Sequence, residues 1–191
     1  MINVLLIDFH DSFTYNLAAL LRMSANIRLK VLFPEEAKIE KISLFDKLIF
    51  SPGPGLPSEY PIIGEILDMY KTNKSIFGVC LGHQAICEYF GGKLINLGEV
   101  HHGRIKKLRI IKRDSLLYRE IPDESSVGVY HSWCVDSAGF PSCFDVSAVS
   151  EDGIIMSSEH KHYDIMSVQF HPESFITGYG RLIMQNWLTK A

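Results

Sequence analysis

The first residues set the pattern for the N-terminal half. From Ile2 to Ile7 the chain is apolar apart from Asn3, and the run stops at Asp8. That predicts a buried parallel strand whose end lies at the active edge of a sheet. Ser12 suits a helix cap, and Phe13, Leu17, Leu20 and Leu21 recur at helical spacing to about Met23. Alternation from Ile27 to Phe33 predicts a second strand, followed by a charged connection from Pro34 to Lys41. Leu48-Ile-Phe50 predicts a third, running into Ser51-Pro-Gly-Pro-Gly55. Ile62, Ile66 and Met69 then mark a helix begun near Pro61, where proline costs little. Residues 75–79 form a fourth apolar run, and the helical pattern after it continues through Gln84 to Phe90 before Gly91-Gly92 closes it. Strand and helix in alternation predict an α/β fold with a doubly wound, mostly parallel sheet.

After Lys93 the pattern changes. Extended runs at 93–97, 104–112, 126–131, 145–150, 153–158 and 164–170 are broken by turns such as Glu151-Asp-Gly153. They predict additional antiparallel strands packed beside the parallel sheet. Thr177-Gly178 precedes a last helix, Tyr179 to about Leu188. With 191 residues and no linker, repeat or low-complexity tract, one domain over 1–191 is expected.

A composition of 47% hydrophobic and 21% charged residues fits a soluble globular protein, and no apolar run nears the ~20 residues that cross a bilayer. The start lacks the basic leader and long apolar core of a signal peptide, so a cytosolic location with reduced thiols is expected. Four cysteines without a C-x-x-C pair or metal-ligand spacing argue against a disulfide framework and a zinc site, and neither metal nor cofactor is expected. A net charge of −3 offers no footprint for nucleic acid, and Lys106, Lys107 and Arg109 read as a solvated strand face.

Candidate chemistry centres on Ser75-Ile-Phe-Gly-Val-Cys-Leu-Gly-His-Gln84. Gly78 and Gly82 flank Cys80 as in a nucleophile elbow, with cysteine where hydrolases carry serine. The turn would hold Cys80 at a helix N-terminus, where free N–H groups and the helix dipole favour a thiolate. Cys87, Cys134 and Cys143 lack that frame and read as packing residues. A cysteine nucleophile needs an oriented base. In Val168-Gln-Phe-His-Pro-Glu-Ser174, residues two apart share a face, so Glu173 can hold one ring nitrogen of His171 and turn the other toward Cys80. Such an imidazole takes the thiol proton and returns it to a leaving amine. The oxyanion would meet the Leu81 amide and a second donor from the proline-stiffened loop, where Gly53 and Gly55 carry N–H groups.

Ser51-Pro-Gly-Pro-Gly55, Gly78-Val-Cys-Leu-Gly-His-Gln84 and Gln169-Phe-His-Pro-Glu-Ser174, in this order, resemble the class I (triad-type) glutamine amidotransferases. Asp11-Ser-Phe-Thr-Tyr-Asn-Leu17 and Thr177-Gly178 narrow the resemblance to the small subunits of anthranilate synthase and aminodeoxychorismate synthase. It spans Asp8 to Trp187 and implies a flavodoxin-like fold. It also implies roles: Cys80 as nucleophile, His171 as acid and base, Glu173 as its orienter, and Gly55 with Leu81 at the oxyanion. Gly53, Pro54, Gly55 and Gln84 would border glutamine, and the backbone of His131-Ser132-Trp133 would hold its amino-acid end. The chain departs from the family at Phe9-His10, at His101-His-Gly-Arg104 and at Trp133; contact or packing is expected of His10, His101 and His102.

The resemblance therefore implies a glutaminase subunit that releases ammonia from L-glutamine through a Cys80 thioester and feeds a chorismate-binding synthase subunit. Anthranilate and aminodeoxychorismate synthesis are not separated, because this half sees the same substrate in both. The alternatives are a non-catalytic regulatory subunit and a cysteine hydrolase of other specificity.

Overall fold

Alternate residues of the first strand feed two different cores, which is why Val4 to Ile7 are all apolar. The computed structural model describes residues 1–24 and 26–189. Its N-terminal half comprises β1 (Ile2–Ile7), α1 (Thr14–Arg22), β2 (Ile27–Leu32), β3 (Lys47–Phe50), α2 (Ile62–Tyr70), β4 (Ser75–Val79) and α3 (Leu81–Tyr89). The rest comprises β5 (Leu94–Ile110), β6 (Ser126–Val135), β7 (Phe144–Ser150), β8 (Ile155–His160), β9 (Ile165–Val168) and α4 (Gly180–Leu188). Val4 and Leu6 pack with Leu17 and Leu21 of α1 and Ile183, Met184 and Trp187 of α4. Leu5 and Ile7 face the other way, onto Ile63, Ile66 and Leu67 of α2 and Ala85 and Ile86 of α3. Each such wholly buried Leu or Ile contributes about 1.5–3 kcal/mol relative to exposure, and helices on both faces are what doubly wound means.

Among the described residues one sheet runs in the order β2-β1-β3-β4-β9-β8-β7-β5-β6. The pairs from β2 to β9 are parallel, and those from β9 to β6 are antiparallel. The later strands thus continue the sheet edge to edge instead of packing beside it. The run predicted at 164–170 shortens to β9 and pairs in parallel with β4, which sets the segment leading to His171 alongside the one leading to Cys80.

Three local differences have physical causes. The runs at 93–97 and 104–112 are one strand, β5, because Gly98 (φ +74°) and Gly103 (φ +70°) let it bend through register shifts without leaving the ladder. The strand at 126–131 continues to Val135, paired with Leu94–Asn96, so His131-Ser132-Trp133 lies within β6. Ser12 does not cap α1: Phe13 occupies the cap position without a side-chain bond. Carboxylates order that entry instead. Asp8 Oδ1 accepts from the Asp11 N–H (3.2 Å) and the Thr14 hydroxyl (2.8 Å), and Asp11 Oδ1 accepts from the Phe13 N–H (2.8 Å).

Candidate active site

β4 ends at Val79 and α3 begins at Leu81, so Cys80 alone makes the turn, at φ 51° and ψ −101°. A non-glycine residue in that region is strained and persists only when its surroundings hold it. The glycines supply the room. A Cβ at Gly78 would lie 2.6 Å from the Gly82 carbonyl carbon, and one at Gly82 would lie 2.5 Å from the Phe50 oxygen. The Cys80 N–H donates to the Val168 carbonyl (2.8 Å), fastening the elbow to the end of β9.

His171 follows three residues beyond β9. Its Nδ1 lies 2.7 Å from Glu173 Oε1, with both side chains buried. The carboxylate is an acceptor, so Nδ1 carries the proton and Nε2 is the basic nitrogen. Nε2 is buried, and the ring interacts with Cys80. Burial works against a charged ring, but Cys80 and Glu173 outweigh it and hold His171 well above the ordinary imidazole value. Phe13 and Tyr130 meet the ring edge-on, with centroids at 5.4 and 4.9 Å.

The loop after β3 is braced from below. Phe9 is wholly buried, its N–H donates to Ser51 Oγ (2.9 Å), and its ring packs edge-on against Tyr60 (4.9 Å). A Cβ at Gly53 would lie 2.5 Å from Leu81 Cδ2 and 2.7 Å from Phe9 Cβ, so glycine is what lets loop and elbow touch. Gly55, at φ +73°, turns the loop away. The Leu81 N–H is the first of α3 and has no intrahelical acceptor, which leaves it available to an oxyanion.

These pieces enclose a cavity of about 180 Å³ lined by Gly53, Pro54, Gly55, Cys80, Gln84, Val100 and residues 130–133. Ser132 and Trp133 are therefore on its wall, and His171 and Glu173 stand behind Cys80. Gln84 lines the cavity, but its Nε2 donates to the Trp133 carbonyl (2.8 Å) and to Gln169 Oε1 (3.2 Å). His131 Nδ1 also donates to the Trp133 carbonyl (2.9 Å); burial pushes His131 down to about 4, so the neutral ring donates at neutral pH.

The remaining cysteines are different in kind. Burial pushes the Cys87 thiol up to about 12 and Cys134 up to about 11. Among the described residues no group of three His, Cys, Asp or Glu side chains is placed to hold a metal ion. His10 is exposed and stacks on Phe33 (4.8 Å), His102 meets Tyr130 edge-on (5.2 Å), and His101 is buried 5.6 Å from the His131 ring. Phe9 belongs to the core under the loop, not to a partner-facing surface.

The sequence pattern of the family described as Glutamine amidotransferase class-I matches residues 5–191. The chain belongs to the class-I glutamine amidotransferases. A Haemophilus influenzae protein named "Putative anthranilate synthase component II" is 42% identical over 97% of this chain and 95% of its own length. The Escherichia coli aminodeoxychorismate synthase component 2 is 35% identical over 97% of this chain and 98% of its own. A crystal structure of a "putative gmp synthase subunit a protein" from Thermoplasma acidophilum superposes with a TM-score of 0.87 at 23% identity, covering 98% of this chain and 92% of that one. At that identity the likeness speaks for the fold.

Two residues that stand within the quoted motifs make contacts that the motifs do not assign. Gln169, wholly buried, donates Nε2 to Cys80 Sγ at 3.6 Å. Residues 169–170 are bends and 172–173 a turn, so strand alternation does not point to Gln169. Thr177 ties the histidine down: its hydroxyl donates to the His171 carbonyl (2.6 Å) and accepts from the Gly128 N–H (3.0 Å). Gly180 completes this clamp, since α4 passes so close to Pro172 that no side chain fits there.

Proposed function

We propose that this amidotransferase hydrolyses the side-chain amide of L-glutamine on Cys80 and delivers the ammonia to a chorismate-aminating synthase subunit. The reading rests on one arrangement: a strained elbow cysteine backed by a buried His171–Glu173 pair, opening on a small cavity. His171 Nε2 takes the Cys80 proton as sulfur attacks the amide carbon, and the Leu81 and Gly55 N–H groups receive the developing oxyanion. Collapse of that intermediate expels ammonia, which takes the proton from His171. A γ-glutamyl thioester remains. Water, deprotonated by the same nitrogen, then releases glutamate and restores the thiol. Gly53, Pro54 and Gln84 border the side chain of the substrate, and Ser132 and Trp133 meet its amino-acid end.

The synthase partner is inferred from the names of the relatives, which are component II proteins of anthranilate and aminodeoxychorismate synthases. Residues 1–191 act as one amidotransferase domain, a reading supported by the continuous sheet shared by both cores. No helix among the described residues is long and apolar enough to cross a membrane.

A diazoketone analogue of glutamine tests the site, with the adduct located by mass spectrometry with and without excess L-glutamine. Labelling confined to Cys80 and suppressed by glutamine is expected. Labelling spread over Cys87, Cys134 and Cys143, with the synthase subunit present, would overturn the glutaminase reading in favour of a regulatory subunit.

A further inference from the structure

The amide polarity around Cys80 is settled by one backbone atom. The Trp133 carbonyl can only accept, so Gln84 must present its nitrogen there, at 2.8 Å. The same nitrogen reaches the next side chain, so Gln169 must present its oxygen to Gln84, at 3.2 Å. Gln169 is then left with only its NH2 group to turn toward Cys80 Sγ, at 3.6 Å. His131 fixes the far end by donating to the same carbonyl, at 2.9 Å. The chain of contacts therefore runs from the cavity wall to the nucleophile with every donor and acceptor direction determined. Gln169 is wholly buried, so its amide cannot exchange its partners for water.

We propose that Gln169 is a second polar partner of the Cys80 sulfur, donating a hydrogen bond that favours its anion, and that Gln84 and the Trp133 carbonyl set the direction of that donor. A hydrogen bond from a buried amide to sulfur is stronger when sulfur is charged. It therefore acts twice in the cycle. As the proton passes to His171 it steadies the charge that develops on sulfur, and at thioester hydrolysis it receives the departing thiolate. Trp133 also lines the cavity, so the wall that meets the substrate and the donor that serves the nucleophile are one connected unit. The role of the wall rests on the glutaminase reading; the sulfur contact does not.

The test is the rate at which iodoacetamide alkylates Cys80 from pH 6 to pH 10 in the intact chain, mapped by mass spectrometry. Gln169→Met keeps length and burial but removes the donor. It is expected to slow alkylation about tenfold at pH 7, the scale of one charge-assisted hydrogen bond, with the deficit closing as rising pH ionises the thiol in both proteins. Glutamine turnover should lose kcat while KM stays close to its original value. Gln84→Met never touches sulfur, yet should show a smaller deficit of the same pH shape, and the double variant should be no slower than Gln169→Met alone. A wild-type rate for folded Gln169→Met, or a deficit that does not change with pH, overturns the assignment. If Gln169→Met does not fold, Gln84→Met decides: a wild-type profile there overturns the relay. Loss of glutamine protection in the unaltered protein would instead strike the glutaminase reading and leave these pH profiles standing.

Discussion

Gly82 and Glu173 show how single atoms decide this site. The Cβ of Gly82→Ala would meet the Phe50 carbonyl, a backbone atom that cannot swing aside. The change is expected to cost about 1–3 kcal/mol of stability, read from urea denaturation, and to lower glutamine turnover because the elbow must shift. Glu173→Gln is nearly isosteric, yet an amide can present N–H to His171 Nδ1 and force the ring proton onto Nε2, where it blocks proton transfer from Cys80. A fall in kcat/KM on the order of 10²–10⁴-fold is expected, with the fold intact by circular dichroism; an unchanged value would remove Glu173 from the mechanism. Both residues were legible because their chemistry is local, a glycine frame at fixed spacing and an H-x-E pair. Gln169 was not legible as a site residue, since its role depends on Gln84 and Trp133, dozens of residues away in sequence.

At the scale of elements, His171 is held between β6 and α4 by Thr177. Thr177→Val preserves shape but takes the hydroxyl acceptor from the Gly128 N–H and leaves the His171 carbonyl only the Ser174 N–H. A loss of about 1–3 kcal/mol is expected, together with a kcat that falls more than KM rises, because the ring loses its anchor while the cavity wall stays in place. An equal loss of stability with unchanged kcat would make the clamp purely structural. Gly64 supplies the opposite case. It lies inside α2, and a Cβ there meets nothing within 4 Å, so Gly64→Ala should gain roughly 0.5–1 kcal/mol from backbone entropy and leave turnover alone. Periodicity placed the helices to within a residue or two. It divided β5 because glycines at positive φ look like a turn in sequence, whereas here they bend a strand that keeps its partners.

Across the whole molecule the sequence pattern announced two layers of helix over a sheet, but not that the later strands would lengthen that sheet. Alternation reports which faces are buried and says nothing about which edge a strand joins. The packing of α3 on this sheet has an electrostatic consequence for the protein as a whole. His83, on α3, is wholly buried against β9, with Nδ1 2.8 Å from Ser167 Oγ and 3.8 Å from Cys87 Sγ. Burial, reinforced by His131, pushes His83 from the ordinary 6.5 down to about 3. The folded state therefore keeps this ring neutral while the unfolded chain takes up a proton below pH 6.5. Stability from it is complete above that pH and is lost as pH falls toward 3, at up to about 1.4 kcal/mol per pH unit. His131, pushed to about 4, adds a slope of the same sign. His171, held high, has the opposite sign: its contribution is full below pH 6.5 and is lost as pH rises through its folded value. Urea midpoints should thus fall steadily from pH 6.5 to pH 4. In His83→Asn, where the amide can still reach Ser167, the neutral-pH midpoint should drop through lost packing while the acid slope becomes shallower by up to one proton's worth. A slope identical to that of the unaltered protein would show that acid sensitivity arises from other groups and that His83 is protonated without consequence for the fold.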